Sequence, residues 1–508
     1  MKQHLGKILV VATAVAATSC AVPPTRGPSI ASSPPKLVVL VVVDQLRADL
    51  LDRHGDLFVG GFKRLRDEGH SYVNASHDYA ATETAPGHAS LTTGVYPDRH
   101  GVIANSWYEM SGGRWLSVYN AADSTVKIIG SPDRPGASPR RLMRSGLADW
   151  LVAANPKSRV ASVSSKDRAA IQPAAHVKGH VYWFDSLAGR FVTSTYYRDA
   201  DPDWVTTFTQ GQLQAHHADT IWKVVQTPVV HRFSEEGRPN AFWPWWGATP
   251  AADVATLELA RSMVSFLDLG RDDTPDFLNV GLSATDRVGH RYGPMSSEQR
   301  DNLLRLDREL GEFFAFLDAR VGKGRWTVML TADHGVLEMP EDLAARGEYG
   351  HRLTAAENAK LDSLRAEAIA NPDRRAAAAK LAKDLKTLPI IGDAWTQEEL
   401  RLGQPTDSFA VLRKRSLYEG REGGRFSREG VEFRFVPGIP NGPRETSHSQ
   451  GYWYDRRVPM IFMGPGIRSG RDTTRASTVD FAPTIAEMLR IPYPGDLDGR
   501  VLRGVSRR

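Results

Sequence analysis

The chain has 508 residues, 41% of them hydrophobic and 24% charged, with a formal net charge of +5 and a pI near 9.1. This is ordinary globular composition, ample for one large α/β domain with insertions or for two to three domains. The mild basic balance includes no run of five or more basic residues, so it excludes a dedicated nucleic-acid tract while leaving a surface tolerant of anionic substrates. The single cysteine, Cys20, excludes any disulfide within the chain.

Residues 1–20 have the three-part shape of a secretory signal: Lys2 and Lys7, an apolar run over 8–17, then Thr18-Ser19-Cys20. The apolar run is too short to span a bilayer as a permanent helix. The small residues before Cys20 resemble a bacterial lipobox, although Ala17 stands where leucine is more usual. In that reading Cys20 becomes a lipidated N-terminus. With Ala21 and no Asp after it, the anchor belongs in the outer membrane of a Gram-negative bacterium, facing the periplasm. Simple cleavage to a soluble periplasmic protein is the other reading. Residues 21–36, rich in Pro, Ser and Thr, read as a flexible linker.

Residues 36–44 are a continuous apolar run ending in Asp44, the pattern of a parallel strand buried on both faces. Asp44 is either a ligand at a strand end or a cap for a helix over 45–51. A helix over 58–68 and a strand over 71–76 follow. Pro86 and Gly87 then place Thr84 where a loop turns helical, and Gly94 stops that helix. A hydroxyl in such a place is ordinarily an N-cap. The leucine spacing predicts a helix over 139–154. A strand over 159–165 delivers Lys166 and Arg168, which share a face if the chain stays extended, as a phosphate clamp or as a solvated pair. Residues 180–197 and 204–250 are aromatic-rich and irregular. A helix over 251–267 precedes a strand over 276–283, after which Asp286 and His290 sit in a loop tightened by Gly289 and Gly293. A helix over 296–321, a strand over 326–331 with Asp333 and His334 directly after it, and an Ala-, Lys- and Glu-rich helical stretch over 354–388 come next. His448, a strand over 458–463 and a helix over 480–489 close the chain. Alternating strands and helices imply a doubly wound, mostly parallel α/β sheet over 37–508, with insertions at about 185–250 and 345–442.

In such a sheet the carboxyl ends of strands lie along one edge, so Asp44, Asp286, Asp333 and His334 converge. Two carboxylates with one histidine, or one with two, suit zinc, and these residues divide into two such sets. Any single histidine has an equally good structural use.

The ordered motifs are Val41-Val42-Val43-Asp44, Glu83-Thr84-Ala85-Pro86-Gly87-His88, the segment 93–101, Ser165-Lys166-Asp167-Arg168, Asp286-Arg287-Val288-Gly289-His290, Ala332-Asp333-His334-Gly335, His448 and Asp480-Phe481-Ala482-Pro483-Thr484. Together they resemble the alkaline phosphatase superfamily, in its monomeric bacterial branch with a threonine nucleophile and a Lys-x-Arg clamp (the PafA type). The resemblance covers nearly the whole mature chain. It implies two Zn²⁺ per chain, one on Asp286, His290 and His448, the other on Asp44, Asp333, His334 and the Thr84 oxygen. It further implies phosphate contacts from Asn105, Lys166 and Arg168, and packing or turn roles for His88 and His100.

By the same resemblance, Thr84 attacks phosphorus and a phosphothreonine is then hydrolysed, with two zinc ions about 4 Å apart clamping the entering and leaving oxygens. Four positive metal charges cancel against three carboxylates and an alkoxide, and Lys166 with Arg168 leaves a net charge of plus two, matched to a dianionic monoester. Small phosphate monoesters are therefore the expected substrates, for a monomer with no specific nucleic-acid partner. A phosphodiesterase or nucleotide pyrophosphatase shares the zinc site but not the Lys-x-Arg pair. An arylsulfatase needs a Cys or Ser where Thr84 stands, and a glycolytic phosphomutase does not fit a secreted chain. A non-catalytic zinc-binding surface lipoprotein would have lost Thr84 or a ligand, and none is missing.

Overall fold

Seven successive valines and leucines, Leu37–Val43, form a strand because apolar layers flank them on both sides, and all seven are fully buried. Leu37, Val39, Val41 and Val43 enter one core with the helices Gly61–Glu68, Ala251–Phe266 and Ser297–Leu317. Val38, Leu40 and Val42 enter a second core with the helices Leu147–Ala154 and Phe481–Leu489. This computed structural model describes residues 33–217, 220–235, 241–420, 427–442 and 445–505. The signal segment, Cys20 and the linker up to residue 32 lie outside the described residues.

In chain order the main sheet comprises β1 (Leu37–Val43), β2 (His70–Ser76), β3 (Val160–Ser164), β4 (His180–Asp185), β5 (Arg190–Val192), β6 (Asp276–Leu282), β7 (Trp326–Thr331), β8 (Met460–Met463) and β9 (Gly470–Ser477). They lie in the order β9-β2-β8-β7-β1-β6-β3-β4-β5. Only β8 and β5 run against the rest. This is the doubly wound, mostly parallel α/β architecture that the sequence implies. Four adjacent parallel strands at its centre, β7, β1, β6 and β3, bring their carboxyl ends to one edge.

The stretch 345–442 carries a small core of its own. Helices Ala355–Ala370 and Arg374–Leu385 pack Leu361, Leu364, Leu381 and Leu385 against an antiparallel pair, Ile391–Thr396 and Val431–Phe435. The expected single helical run over 354–388 is two helices, because Pro372 has no N–H to donate and Asp373 caps a new start by accepting from Ala376 N.

Three other expectations are corrected. Only Leu147–Ala154 of the stretch 139–154 is helical; before it, the chain turns away to donate from Met143 N to His100 O (2.9 Å). Asp286 and His290 sit in a helix, Ala284–Tyr292, and not in a loop. Lys166 is extended, but Arg168 already belongs to the helix Asp167–Ala174, so the shared-face argument for the pair does not hold.

Candidate active site

Each central strand hands a polar side chain to the same edge. β7 delivers Asp333 and His334, β1 delivers Asp44, and β3 delivers Lys166. β2 leads to α1 (Thr84–Thr93), β3 to α2 (Asp167–Ala174) and β6 to α3 (Ala284–Tyr292). On α3, Asp286 and His290 are one turn apart and share a face, with His290 Nε2 3.2 Å from Asp286 Oδ1.

All ten residues of α1 are buried. A Cβ on Gly87 would stand 2.4 Å from Asp333 O, so only glycine lets α1 lie backbone against backbone on the loop after β7. The cap position falls on Glu83, and Thr84 is the first helical residue. Its hydroxyl has Lys166 Nζ at 3.4 Å. Asn105 Oδ1 accepts from Ala85 N (3.0 Å), one of the otherwise unpaired first amides of α1, while Asn105 N donates to Glu83 Oε2 (2.7 Å). These two bonds fix Asn105 beside Thr84.

The donor atoms of Asp44, Asp333 and His334 lie within 4.8 Å of one another, and so do those of Asp286, His334 and His448. His334 belongs to both groups. His290 stands next to the second, its ring centroid 5.1 Å from that of His448. The imidazoles are set by backbone carbonyls: His290 Nδ1 lies 2.6 Å from Thr446 O, His334 Nδ1 3.0 Å from Gly335 O, and His448 Nδ1 2.7 Å from Thr82 O. A carbonyl only accepts, so each Nδ1 carries a proton and Nε2 is the nitrogen that can take a metal once it is deprotonated.

Asp44 Oδ1, Asp333 Oδ2 and His334 Nε2 are buried without a hydrogen-bond partner, while Asp44 Oδ2 faces the Lys166 ammonium. Buried acceptors left in this way are expensive unless a cation satisfies them. The residues therefore fit bound metal, and the Asp and His donors are those that suit zinc.

Lys166 Nζ lies 2.6 Å from Asp44 Oδ2 and 2.6 Å from Asp286 Oδ2, a buried ammonium held by one carboxylate of each group. It marks the space between the groups as one that favours positive charge. Burial, then repulsion from Asp286 and Asp333, pushes the Asp44 carboxyl up to about 7 against the pull of Lys166 and His334. For Asp286 burial acts in the same sense, but Lys166 and His290 outweigh it and hold the carboxyl well below its usual range. Burial works against a charged His290, yet Asp286 and the Thr446 carbonyl raise it to about 9. Arg168 Nη1 donates to Tyr119 Oη (3.0 Å), which in turn donates to Asp167 Oδ1 (2.5 Å). Burial opposes the guanidinium charge, but Tyr119, Asp167 and Asp44 outweigh it and keep it above its ordinary value.

The structure thus brings together Asp44, Thr84, Lys166, Asp286, His290, Asp333, His334 and His448, with Asn105 beside Thr84. His88, expected only to pack, has Nδ1 2.9 Å from Thr84 O and 3.4 Å from Asp333 Oδ2. His100 makes the expected internal contacts, to Ser90 Oγ and Val102 N. Sequence reasoning missed Tyr119, Thr82 and Gln45. Tyr119 ends an antiparallel hairpin without any motif, and Thr82 acts through its carbonyl, which every residue has.

Residues 38–421 match the family described as type I phosphodiesterase / nucleotide pyrophosphatase. The chain belongs to that family. Within it, the chain is 33% identical to alkaline phosphatase PafA of Elizabethkingia meningoseptica, over 93% of its own length and 95% of that protein. The crystal structure of wild-type PafA superposes with a TM-score of 0.80 at 30% identity, covering 93% of this chain and 99% of that one. A PafA variant structure, at a TM-score of 0.82 and 31% identity, carries replacements of a threonine, an asparagine, a lysine and an arginine. Those four follow in the order found here in Thr84, Asn105, Lys166 and Arg168, with the same separations of 21 residues for the first two and two for the last two. This type I phosphodiesterase / nucleotide pyrophosphatase family member is a phosphoric monoester hydrolase of the alkaline phosphatase type.

Proposed function

We propose that the chain is a two-zinc alkaline phosphatase acting on phosphate monoesters through a phosphothreonine on Thr84. The observation that carries this reading is the convergence of two donor groups on either side of Lys166, beside the Thr84 hydroxyl. Asp44, Asp333, His334 and Thr84 would hold one ion, and Asp286, His290 and His448 the other, with His334 at the boundary. When bound, the two ions neutralise charge on the entering and leaving oxygens of an in-line displacement and lower the pKa of water to roughly 7.

Thr84 Oγ1 forms the new bond to phosphorus as the ester oxygen leaves. Water then cleaves the phosphothreonine, returning the hydroxyl and releasing inorganic phosphate. The positive charge of Lys166 beside Oγ1 favours loss of the threonine proton. Asn105, Lys166 and Arg168 hold the non-bridging oxygens, where charge gathers in a loose transition state. Asn105 Oδ1 is engaged by Ala85 N, which turns its amide nitrogen into the available group. Three carboxylates and the Thr84 oxygen balance two divalent ions, so the two cationic side chains remain to match a dianion. Cys20 as a lipidated anchor facing the periplasm completes the proposal; loss of lipid label in Cys20→Ser tests that part.

The test compares an aryl phosphate monoester with its matched methyl diester, before and after chelation and zinc add-back. Monoester turnover should dominate, vanish on chelation and return with zinc, and phosphate from the substrate should label wild type but not Thr84→Ala. Preference for the diester would favour a phosphodiesterase, and undiminished turnover without metal would overturn the reading.

A further inference from the structure

Gln45, the residue after Asp44, is buried and has φ 67°. A non-glycine residue in the left-handed region is uncommon and persists where its surroundings over-determine it. Two hydrogen bonds do so here. Gln45 N donates to Asp333 Oδ1 at 3.1 Å, and Gln45 Nε2 donates to Asp286 Oδ1 at 2.7 Å. Asp333 belongs to one donor group and Asp286 to the other, and Asp44 is the covalent neighbour. One residue therefore bonds two of the carboxylates and adjoins the residue that carries the third. Both bonds fall on Oδ1 atoms; Asp333 Oδ2 stays without a hydrogen-bond partner and Asp286 Oδ2 faces Lys166.

The room for the side chain comes from α3. A Cβ on Gly289 would lie 2.0 Å from Gln45 Oε1 and 3.0 Å from Gln299 Nε2. Glycine at 289, between Asp286 and His290, is what allows the Gln45 amide to reach Asp286. This also accounts for a glycine inside a helix, where it is otherwise unfavourable.

We propose that Gln45 is a positioning residue that couples the two metal groups: its backbone amide sets Asp333 and its side-chain amide sets Asp286, at fixed spacing from Asp44. The proposal rests on the two-zinc reading above. Hydrogen bonds to ligating carboxylates orient them, and removing such a partner typically weakens metal binding about 10–100-fold. Gln45→Gly separates this role from a role in folding. Glycine adopts φ 67° without strain and keeps the N–H on Asp333, losing only the amide on Asp286. Gly289→Ala approaches from the other side, displacing the amide while Gln45 stays in place. Both substitutions remove the same bond, so their effects should not add.

The experiment strips metal from the wild type, Gln45→Gly, Gly289→Ala and the double variant, titrates each with zinc against a chromophoric chelator, and melts each metal-free protein. The wild type should take two tight equivalents. Each single variant should keep one and bind the other about 10–100-fold more weakly, with no further loss in the double variant. Metal-free Gln45→Gly should stay folded, with far-UV circular dichroism and a cooperative melt like those of metal-free wild type. Wild-type affinity for both equivalents in the single variants, additive losses in the double variant, or loss of the folded far-UV signal in metal-free Gln45→Gly would overturn the proposal. A wild type that takes fewer than two equivalents would sink the two-zinc reading first, and this proposal with it.

Discussion

Lys166 occupies two roles that pull in different directions. Its ammonium, 2.6 Å from both Asp44 and Asp286, neutralises carboxylates that would otherwise face each other in a buried site. The same ammonium lies 3.4 Å from the Thr84 hydroxyl. Removing one partner of a buried ion pair typically destabilises by about 3–5 kcal/mol, because the remaining charge is left alone. For Lys166→Ala that loss should appear in the metal-free protein and shrink once zinc supplies the missing charge, and zinc should bind at least as tightly as in the wild type. Monoester kcat/KM should nevertheless fall about 10²-fold, the usual effect of removing a charge-stabilising group. Paired melts with and without zinc, beside steady-state kinetics on monoester and diester, check this; an equal stability loss in both metal states would make Lys166 a purely structural residue. Tyr119 acts one step further out. Tyr119→Phe leaves the Arg168 charge intact but removes the oxygen that joins Arg168 Nη1 to Asp167. Hydrogen bonds to charged groups contribute about 1.5–3 kcal/mol. Monoester kcat/KM should accordingly drop about 10-fold or more while zinc content stays at the wild-type value, measured by kinetics and metal analysis on the same preparation.

At the scale of elements, α1 reaches the site because it is made of small residues. The contact of Gly87 with Asp333 sets how near Thr84 comes to the donor groups. Gly87→Ala would place a methyl 2.4 Å from a carbonyl oxygen that is itself part of a packed loop. Overpacking of this kind typically costs about 1–3 kcal/mol, and the relief available is to push α1 outward. Turnover should therefore fall far more than the melting temperature; full activity in Gly87→Ala would refute the close approach as the determinant. The strands are legible in the sequence because burial on both faces favours apolar runs, as in Leu37–Val43 and, broken only by Thr327 and Thr331, Trp326–Thr331. Asp44, Asp333 and His334 were legible for the same reason, each following such a run directly. Helix α3 reads as loop in the sequence because Gly289 and Gly293 look like loop punctuation, when Gly289 serves the Gln45 amide instead. Arg168 reads as part of an extended pair because nothing in Lys-Asp-Arg announces that a helix begins at Asp167. Gln45 was invisible: a backbone at φ 67° leaves no trace in a glutamine.

For the whole molecule, the two apolar cores and the polar edge are separate sources of stability. Val39 and Val41 face one core and Leu40 and Val42 the other, far more apolar surface than the catalytic edge contributes. Metal removal should consequently leave the fold standing. The edge itself gathers the carboxylates of Asp44, Asp286 and Asp333 around one ammonium, with several buried acceptors lacking partners. A ligand that binds only the folded chain raises its stability by mass action, about 2.7 kcal/mol for each site at a free concentration one hundred times Kd. The donor set exists only when β7, β1, β6 and α3 are assembled, so zinc meets that condition. Stripped protein should keep its far-UV circular dichroism, melt lower than the loaded form, and recover in proportion to zinc added until both donor groups are filled. The increment should shrink on acidification, since carboxylate and imidazole donors must be deprotonated to bind metal. Differential scanning calorimetry across a zinc series at two pH values reads all of this directly. Loss of helical signal on chelation would show that the edge organises the sheet, and a melting point indifferent to zinc would show that the edge holds none.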